Sequence, residues 1–473
     1  MSPQPQSPPT HAPVPLNLPT KLAYGVGESA SELTSSILIF FALFYLTNVA
    51  GLNPAWAGGV VLICKLWDAI NDPMVGWLSD RTRSPLGRRY PWMLFGAIPL
   101  GLSFALIWFV PPLSSEVSLR IYYIIIALLF YTAYTTVVIP YSTLSAELTE
   151  HYDERTSLVS YKAAFSIGSS IVALVLAQII FSIVPGEAQK YLVLGSVCGL
   201  LAVVSVYICV WGTRRRFDWM QTRRARAIAT PAFPLHEQIR IVFSNRPFLF
   251  VIGIYLCSWL GVQVTAAILP YFVVEWMQLP DTHFTQMALA VQGTALLMMG
   301  VWSRLALRIG KQMIYCIGIP VTLVAQFGLF FLQPGQIVWM YTLAVMAGFG
   351  LATAYLVPWS MLPDVVDLDQ LQTGQRREGI FYGFVVQLQK IAVAIALFLV
   401  GKTLDWSGFI TRTADQPLPI QPETALLAIR WLIGPIPSLV LLGGLLLTYF
   451  YPITRAVHGE ILLKLQASAI EED

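Results

Sequence analysis

Apolar residues recur in twelve stretches, each close to the ~20 residues that a membrane-spanning helix needs. Their bounds fall at 22–49, 55–79, 90–111, 119–143, 157–184, 190–212, 247–275, 284–307, 312–332, 337–362, 378–404 and 424–451. Short polar turns separate most of them. One break is long and basic: Thr213 to Arg246 carries Arg214, Arg215, Arg216, Arg223, Arg224, Arg226, Arg240 and Arg246. The pattern predicts an all-α membrane protein whose twelve transmembrane helices form two six-helix bundles. Residues 20–212 form the first bundle, 213–246 a basic cytoplasmic linker and 247–452 the second bundle. Residues 1–19 read as a disordered Pro- and Ser-rich tail, and 453–473 as a cytoplasmic tail.

Composition agrees. The chain is 56% hydrophobic and 12% charged, against ~25% charged in an ordinary soluble domain. The placement of the basic residues says more than the net charge of +3, which gives no reason to expect a nucleic-acid partner. Arg81, Arg83, Arg88 and Arg89 follow the second stretch, Arg308 and Lys311 the eighth, Arg376 and Arg377 the tenth. The alternate loops hold only Arg120, Lys190, Lys402 and Arg412. Positive-inside bias therefore puts both termini and the linker in the cytoplasm, in a multi-pass protein of the plasma (inner) membrane. The N-terminal tail lacks the basic region of a cleaved signal peptide. The five cysteines have no metal or redox spacing,. The histidines lie in tails and loops, and there is no Gly-rich phosphate loop, so neither an enzyme nor a cofactor is expected. The expected partners are a small-molecule substrate, a monovalent cation and the lipid bilayer, with a monomeric protein.

Against this apolar background a few polar residues stand out. Asp68 and Asp72 sit mid-stretch and four apart, so they share one helical face,. A carboxylate at the centre of a spanning helix costs ~2.5–3.5 kcal/mol on insertion scales. The pair needs either a cation between its members or protons on them; both point to ion handling. Glu28 and Glu32 lie in a serine-rich first stretch, Lys162 in the fifth and Lys390 in the middle of the eleventh. Lys390 reads as a movable counter-charge for the aspartates. There is also a weak internal repeat. Gly76-Trp-Leu-Ser-Asp80-Arg81, then Gly87-Arg88-Arg89, closes the second stretch; Gly300-Val-Trp-Ser-Arg304, then Gly310-Lys311, closes the eighth. Parallel repeats of this kind occur in one large transporter class. Asp80, Arg81, Arg88 and Arg89 are the expected elements of a cytoplasmic gate.

The string Trp67-Asp68-Ala69-Ile70-Asn71-Asp72-Pro73, with Gly76-Trp77 and Gly87-Arg88-Arg89-Tyr90-Pro91-Trp92, resembles the glycoside–pentoside–hexuronide:cation symporters of the major facilitator superfamily. Tyr24-Gly-Val-Gly-Glu28, Ser360-Met-Leu-Pro-Asp364 and the lysine of Gln387-Leu-Gln-Lys390 extend the likeness along the chain. The resemblance implies a major facilitator fold and a cation site at Asp68, Asn71, Asp72 and Thr135. It matches Glu32 to a sugar-binding acid, sets Lys390 near both sites, and places Lys162 one residue before a substrate-contacting arginine. Glu28, Tyr134 and Tyr355 join the expected substrate contacts. The coupling ion is Na⁺ or H⁺.

The likeness weakens at the sugar clamp. Val138 and Ser142, flanking Pro140, stand where melibiose-type carriers have an acid and a stacking tryptophan. Losing both argues against the galactoside pose. Pro140-Tyr-Ser142, the Pro363-Asp-Val365 region and Tyr451-Pro-Ile453 are similar to the sodium-dependent lysophosphatidylcholine symporters. The expectation is cation-coupled import of a sugar, glycoside or sugar acid by alternating access. A lysophospholipid or other amphiphile stands second, and a non-transporting membrane sensor or scaffold is the alternative of a different class.

Overall fold

Long apolar runs with few breakers give long helices, and helices dominate the computed structural model. It describes residues 16–472 apart from 114, 150–151, 224–234, 375–376, 415 and 417–418. Helices α1 (Leu18–Asn48), α2 (Pro54–Arg81), α3 (Tyr90–Ile107), α4 (Glu116–Leu148), α5 (Tyr152–Ile183) and α6 (Glu187–Arg223) form the first half. A short helix, α7 (Leu235–Ser244), leads into the second half. That half comprises α8 (Arg246–Tyr271), α9 (Asp281–Ile309), α10 (Lys311–Phe331), α11 (Ile337–Thr373), α12 (Glu378–Trp406), α13 (Glu423–Ile433) and α14 (Pro435–Tyr449), and α15 (Arg455–Glu472) follows it.

Eleven helical segments among the described residues are long and apolar enough to span a membrane, the last formed by α13 and α14 together. The twelfth expected span, α2, has the length, 28 residues or ~42 Å. It falls outside that set because it carries Lys65, Asp68, Asp72, Asp80 and Arg81. Two other departures have local causes. The final stretch breaks at Gly434, where Pro435 and Pro437 cannot supply N–H groups to a continuous helix,. The basic break is partly helical, since α6 runs to Arg223 and α7 begins at Leu235; Arg224 and Arg226 lie outside the described residues, as do Arg376 and residues 1–15. The expected C-terminal tail is mostly helix α15.

Antiparallel succession of the spans puts both termini at one end. At the opposite end the halves are stitched together. Thr47 Oγ1 and Tyr271 Oη are 2.7 Å apart, and Asn48 Nδ2 donates to Glu275 Oε1 at 2.7 Å. Asn53 Nδ2 donates to Asp405 Oδ1 at 2.6 Å, Lys190 pairs with Asp281, and Thr285 bonds Gln178. Ala50 forms a β-bridge with Thr413. Two glycines allow close approach of α2 and α12. A Cβ on Gly401 would lie 2.4 Å from Pro54 O, and one on Gly58 3.1 Å from the Phe398 backbone. At the terminal end, among the described residues, the ion pairs stay within each half. Arg88 and Arg89 bind Glu147 in one, and Lys311 binds Asp364 at 2.7 Å in the other. These two clusters occupy equivalent positions in the repeat, each joining the start of a half's third helix to the end of its fourth. Among the described residues the halves are thus closed together at the far end and joined by no ion pair at the terminal end.

Candidate cation and substrate site

α2 and α12 pack along one seam between the halves, and the ionisable groups of the mid-membrane region meet there. Asp68 and Asp72, one turn apart on α2, both face Thr135 of α4, whose hydroxyl lies 3.1 Å from Asp68 Oδ1 and 3.1 Å from Asp72 Oδ1. The same hydroxyl is 2.9 Å from the Tyr131 carbonyl. A hydroxyl carries one proton, so it serves only one of these three acceptors at a time. The other oxygens confront it lone pair to lone pair, an arrangement a small hard cation relieves. Asp68 is 1% exposed and Thr135 1%. Asn71, on the intervening part of the same turn, is buried, and its Nδ2 has no hydrogen-bond partner among the described residues.

The counter-charge comes from the other half. Lys390 donates to Asp72 Oδ2 and stands 2.9 Å from Asp68 Oδ2 as an ion pair. The second contact is less well aligned than the first, but at 2.9 Å the ammonium still balances the charge on Asp68 Oδ2. Gln387, one turn before Lys390, donates to the Ala69 carbonyl of α2 at 3.0 Å and holds the register of the two helices.

The proposed substrate contacts separate into groups. Glu32 of α1 accepts from Ser36 at 3.0 Å and from Ser166 of α5 at 3.2 Å, with no basic side chain in salt-bridge range among the described residues. Glu28 pairs with Lys162 at 3.4 Å, and Lys162 also lies 5.4 Å from the centre of the Tyr141 ring. Tyr134 turns its hydroxyl to Ser31 at 2.6 Å and Ser35 at 3.3 Å. Two turns beyond Glu32 on the same face of α1, Phe40 lines a cavity of about 60 Å³. Its other walls belong to the second half and are mostly apolar, among them Val262, Leu269, Met287 and Val291, with Gln292, Gln326 and Tyr355 also in the lining. Tyr355 packs edge-on against Trp259, and Trp259 stacks on Tyr255.

The four residues expected to form a gate do not act as one cluster. Arg89 Nη2 binds Asp80 at 2.5 Å and its Nη1 donates to Ser79 Oγ at 2.7 Å. Arg88 and Arg89 also share Glu147, at 2.6 and 3.2 Å. Arg81 instead lies over the Trp77 ring, 3.8 Å from its centre. Sequence reasoning missed Glu147 and the Asn48–Glu275 bridge. Both acids lie near helix ends, where an acid is ordinary and gives no signal.

The family described as MFS/sugar transport protein matches residues 23–455. The chain belongs to that family. Across nearly their whole lengths, this family member is 45% identical to the uncharacterized symporter sll1374 of Synechocystis sp., covering 96% of this chain and 97% of that one. It is 28% identical to the sphingosine-1-phosphate transporter MFSD2B of Xenopus tropicalis, over 95% of this chain and 91% of that one. It is 27% identical to the sodium-dependent lysophosphatidylcholine symporter 1 of Mus musculus, over 96% and 89%. Among solved structures, the nucleoside transporter NupG superposes with a TM-score of 0.65 at 11% identity, covering 92% of this chain and 100% of that one. A bacterial homologue of the iron transporter ferroportin, in an inward-facing state, gives 0.64 at 16% identity, over 92% and 99%. These likenesses establish the major facilitator fold. The family member is a membrane-embedded, multi-pass symporter of that type, and its relatives and structural neighbours are transporters, not enzymes.

Proposed function

We propose that the protein is a Na⁺-coupled symporter that imports a zwitterionic amphiphile of the lysolipid class by alternating access, with both termini in the cytoplasm of the plasma membrane. The ion is a co-transported substrate held by Asp68, Asp72, Thr135 and Asn71. With the ion absent, Lys390 supplies the positive charge the two buried carboxylates require,. Ion and lysine therefore compete, and ion binding removes a bridge between the halves. A ligand favoured by the bridge-free state is bound more tightly once the ion is present, as linkage requires. Asp80, Arg88, Arg89 and Glu147 brace the cytoplasmic ends of α2, α3 and α4, which keeps the first half rigid as it rocks.

The observation that carries the substrate class is the contrast between two regions along α1. Toward the terminal end α1 and α5 carry Glu32, with no basic partner among the described residues, and the Glu28–Lys162 pair, while two turns on the cavity beside Phe40 is lined mainly by aliphatic side chains. Glu32 suits a cationic head group, the Tyr134 and Tyr355 rings suit a quaternary ammonium, and Lys162 suits a phosphate. Relatives named for lysophosphatidylcholine and sphingosine-1-phosphate support the same class. A sugar is the second reading, favoured by the serine-rich surroundings of Glu32.

The test is uptake into proteoliposomes of labelled lysophosphatidylcholine, a glycoside and a hexuronate, each under an imposed Na⁺ or H⁺ gradient. Albumin back-extraction separates transported from adsorbed lipid. The expected result is lysolipid accumulation driven by Na⁺ and lost in Asp72→Asn. Accumulation of the glycoside or hexuronate alone overturns the substrate class, and full accumulation in Asp72→Asn overturns the ion site.

A further inference from the structure

Gln263 is the least explained polar residue in the second half. It lies in mid-α8, is 4% exposed, and its carbonyl Oε1 has no hydrogen-bond partner among the described residues. A buried amide oxygen left without a donor keeps its desolvation penalty uncompensated, a standing cost in an otherwise mostly apolar stretch.

Its position is set by its neighbours. Trp259, Gln263 and Ala267 are spaced by four and share one face of α8. Trp259 and Ala267 pack with Val393 and Leu397 of α12 and with Val61 of α2. Gln263, between them, therefore faces the α12–α2 seam. The depths agree as well. α8 and α12 both run from the terminal end to the far end, and α2 runs the opposite way. One turn back from Ala267 is Gln263; one to two turns back from Val393 and Leu397 is Lys390, on the same face; two turns on from Val61 is Asp68. Three helices thus carry Gln263, Lys390 and Asp68 within one to two turns of the same cluster, all on its terminal side.

Lys390 here is engaged by Asp68 and Asp72. A cation that takes those carboxylates displaces an ammonium that is itself largely buried. An unpaired charge in that environment is expensive, and the ammonium has donors only, so it needs an acceptor nearby. We propose that the Gln263 carbonyl receives the Lys390 ammonium when the coupling cation occupies the aspartates. Gln263 acts on the ion through Lys390 and is a positioning residue. The orphaned acceptor then has a purpose: it lowers the cost of the loaded state and so sets the ion's apparent affinity. This inference rests on the reading that Asp68 and Asp72 hold the ion.

The test is Na⁺ titration of the purified protein by thermal shift, without substrate, for wild type, Gln263→Met and Gln263→Glu, each with and without Lys390→Met. Losing a charge-assisted hydrogen bond worth about 1.5 kcal/mol raises the half-saturating Na⁺ about tenfold, so Gln263→Met shifts it upward and Gln263→Glu downward. Both shifts vanish in the Lys390→Met background, because no ammonium remains to be received. An unchanged Na⁺ response in Gln263→Met, or a shift that persists undiminished without Lys390, overturns the proposal. If Gln263→Met does not fold, Gln263→Asn, whose carbonyl sits one methylene shorter, is compared in the same two backgrounds with the same criteria. Asp68→Asn is titrated in parallel. Wild-type Na⁺ binding in that variant overturns the ion site itself and the Gln263 station with it, whereas loss of binding there with an unmoved Gln263→Met overturns the station alone.

Discussion

Replacing Lys390 with methionine removes the proposed competitor for the ion while keeping most of the apolar stem. Lys390 Nζ lies 2.9 Å from Asp68 Oδ2 and also donates to Asp72, whose side chains are 1% and 13% exposed. At an effective dielectric of about 20 such a contact carries roughly 6 kcal/mol of attraction. Most of it is offset by the cost of drying the charges. The quantity that matters is the penalty for leaving the carboxylates without a partner, about 3–5 kcal/mol in buried pairs. On the proposed mechanism, Na⁺ in wild type must displace the lysine before it gains the site. In Lys390→Met the ion instead relieves an existing penalty.

With the lower value of about 3 kcal/mol, the half-saturating Na⁺ concentration falls about a hundredfold. The assay is thermal stability of the purified protein against Na⁺ concentration, with K⁺ replacing Na⁺ to hold ionic strength. Stabilisation follows RT ln(1 + [Na⁺]/Kd). A buffer near about pH 8.5 keeps protons from taking the vacated role, well above the ordinary carboxylate range. The sign is the decisive feature. A Na⁺ affinity that is unchanged or weaker in Lys390→Met means that the lysine does not compete with the ion, and the coupling argument fails. Uptake in the same variant is expected to be poor despite tighter binding, since an ion that is not displaced is not released.

Two further perturbations test other parts of the architecture. Glu147→Gln leaves the buried Arg89 with only the partly exposed Asp80 as a charged partner; thermal unfolding is expected to show a loss of about 2–4 kcal/mol with Na⁺ half-saturation unchanged, and an altered ion response counts against a purely bracing role. Gly401→Ala puts a Cβ 2.4 Å from Pro54 O; overpacking of about 1–3 kcal/mol shifts the ratio of far-end-closed to far-end-open molecules by about tenfold. An impermeant thiol reagent then labels Asn48→Cys faster in the Gly401→Ala background, whereas unchanged labelling shows that α2 and α12 do not part there on opening.

What the sequence disclosed depended on contrast. The helices were legible because apolar runs of spanning length are rare in other settings, and Asp68, Asp72 and Lys390 because they violate those runs. Asp80 and Arg81 show where contrast misleads. Adjacent residues on a helix point about 100° apart, so Arg81 turns to Trp77, and Asp80 is met by Arg89 returning through the turn. Gln263 and Gln387 gave no signal because a neutral amide barely disturbs hydropathy, although one fixes the register of α12 on α2 and the other holds an unmade hydrogen bond.

On the proposed ion site, the placement of the charges makes ion binding and conformational change one event. Both aspartates and Thr135 lie in the first half, and the cation that neutralises them here, Lys390, lies in the second. Among the described residues, the ion pairs that cross between the halves are this one at mid-depth and Lys190–Asp281 at the far end. A free ion that occupies the carboxylates replaces an inter-half bridge with an intra-half one. The seam between α2 and α12 then keeps its glycine contact at the far end but loses its electrostatic fastening at the centre. Had the lysine been on α4, beside Thr135, ion exchange would have left the attachment between the halves untouched, and ion occupancy would carry no mechanical consequence for the opening of either end.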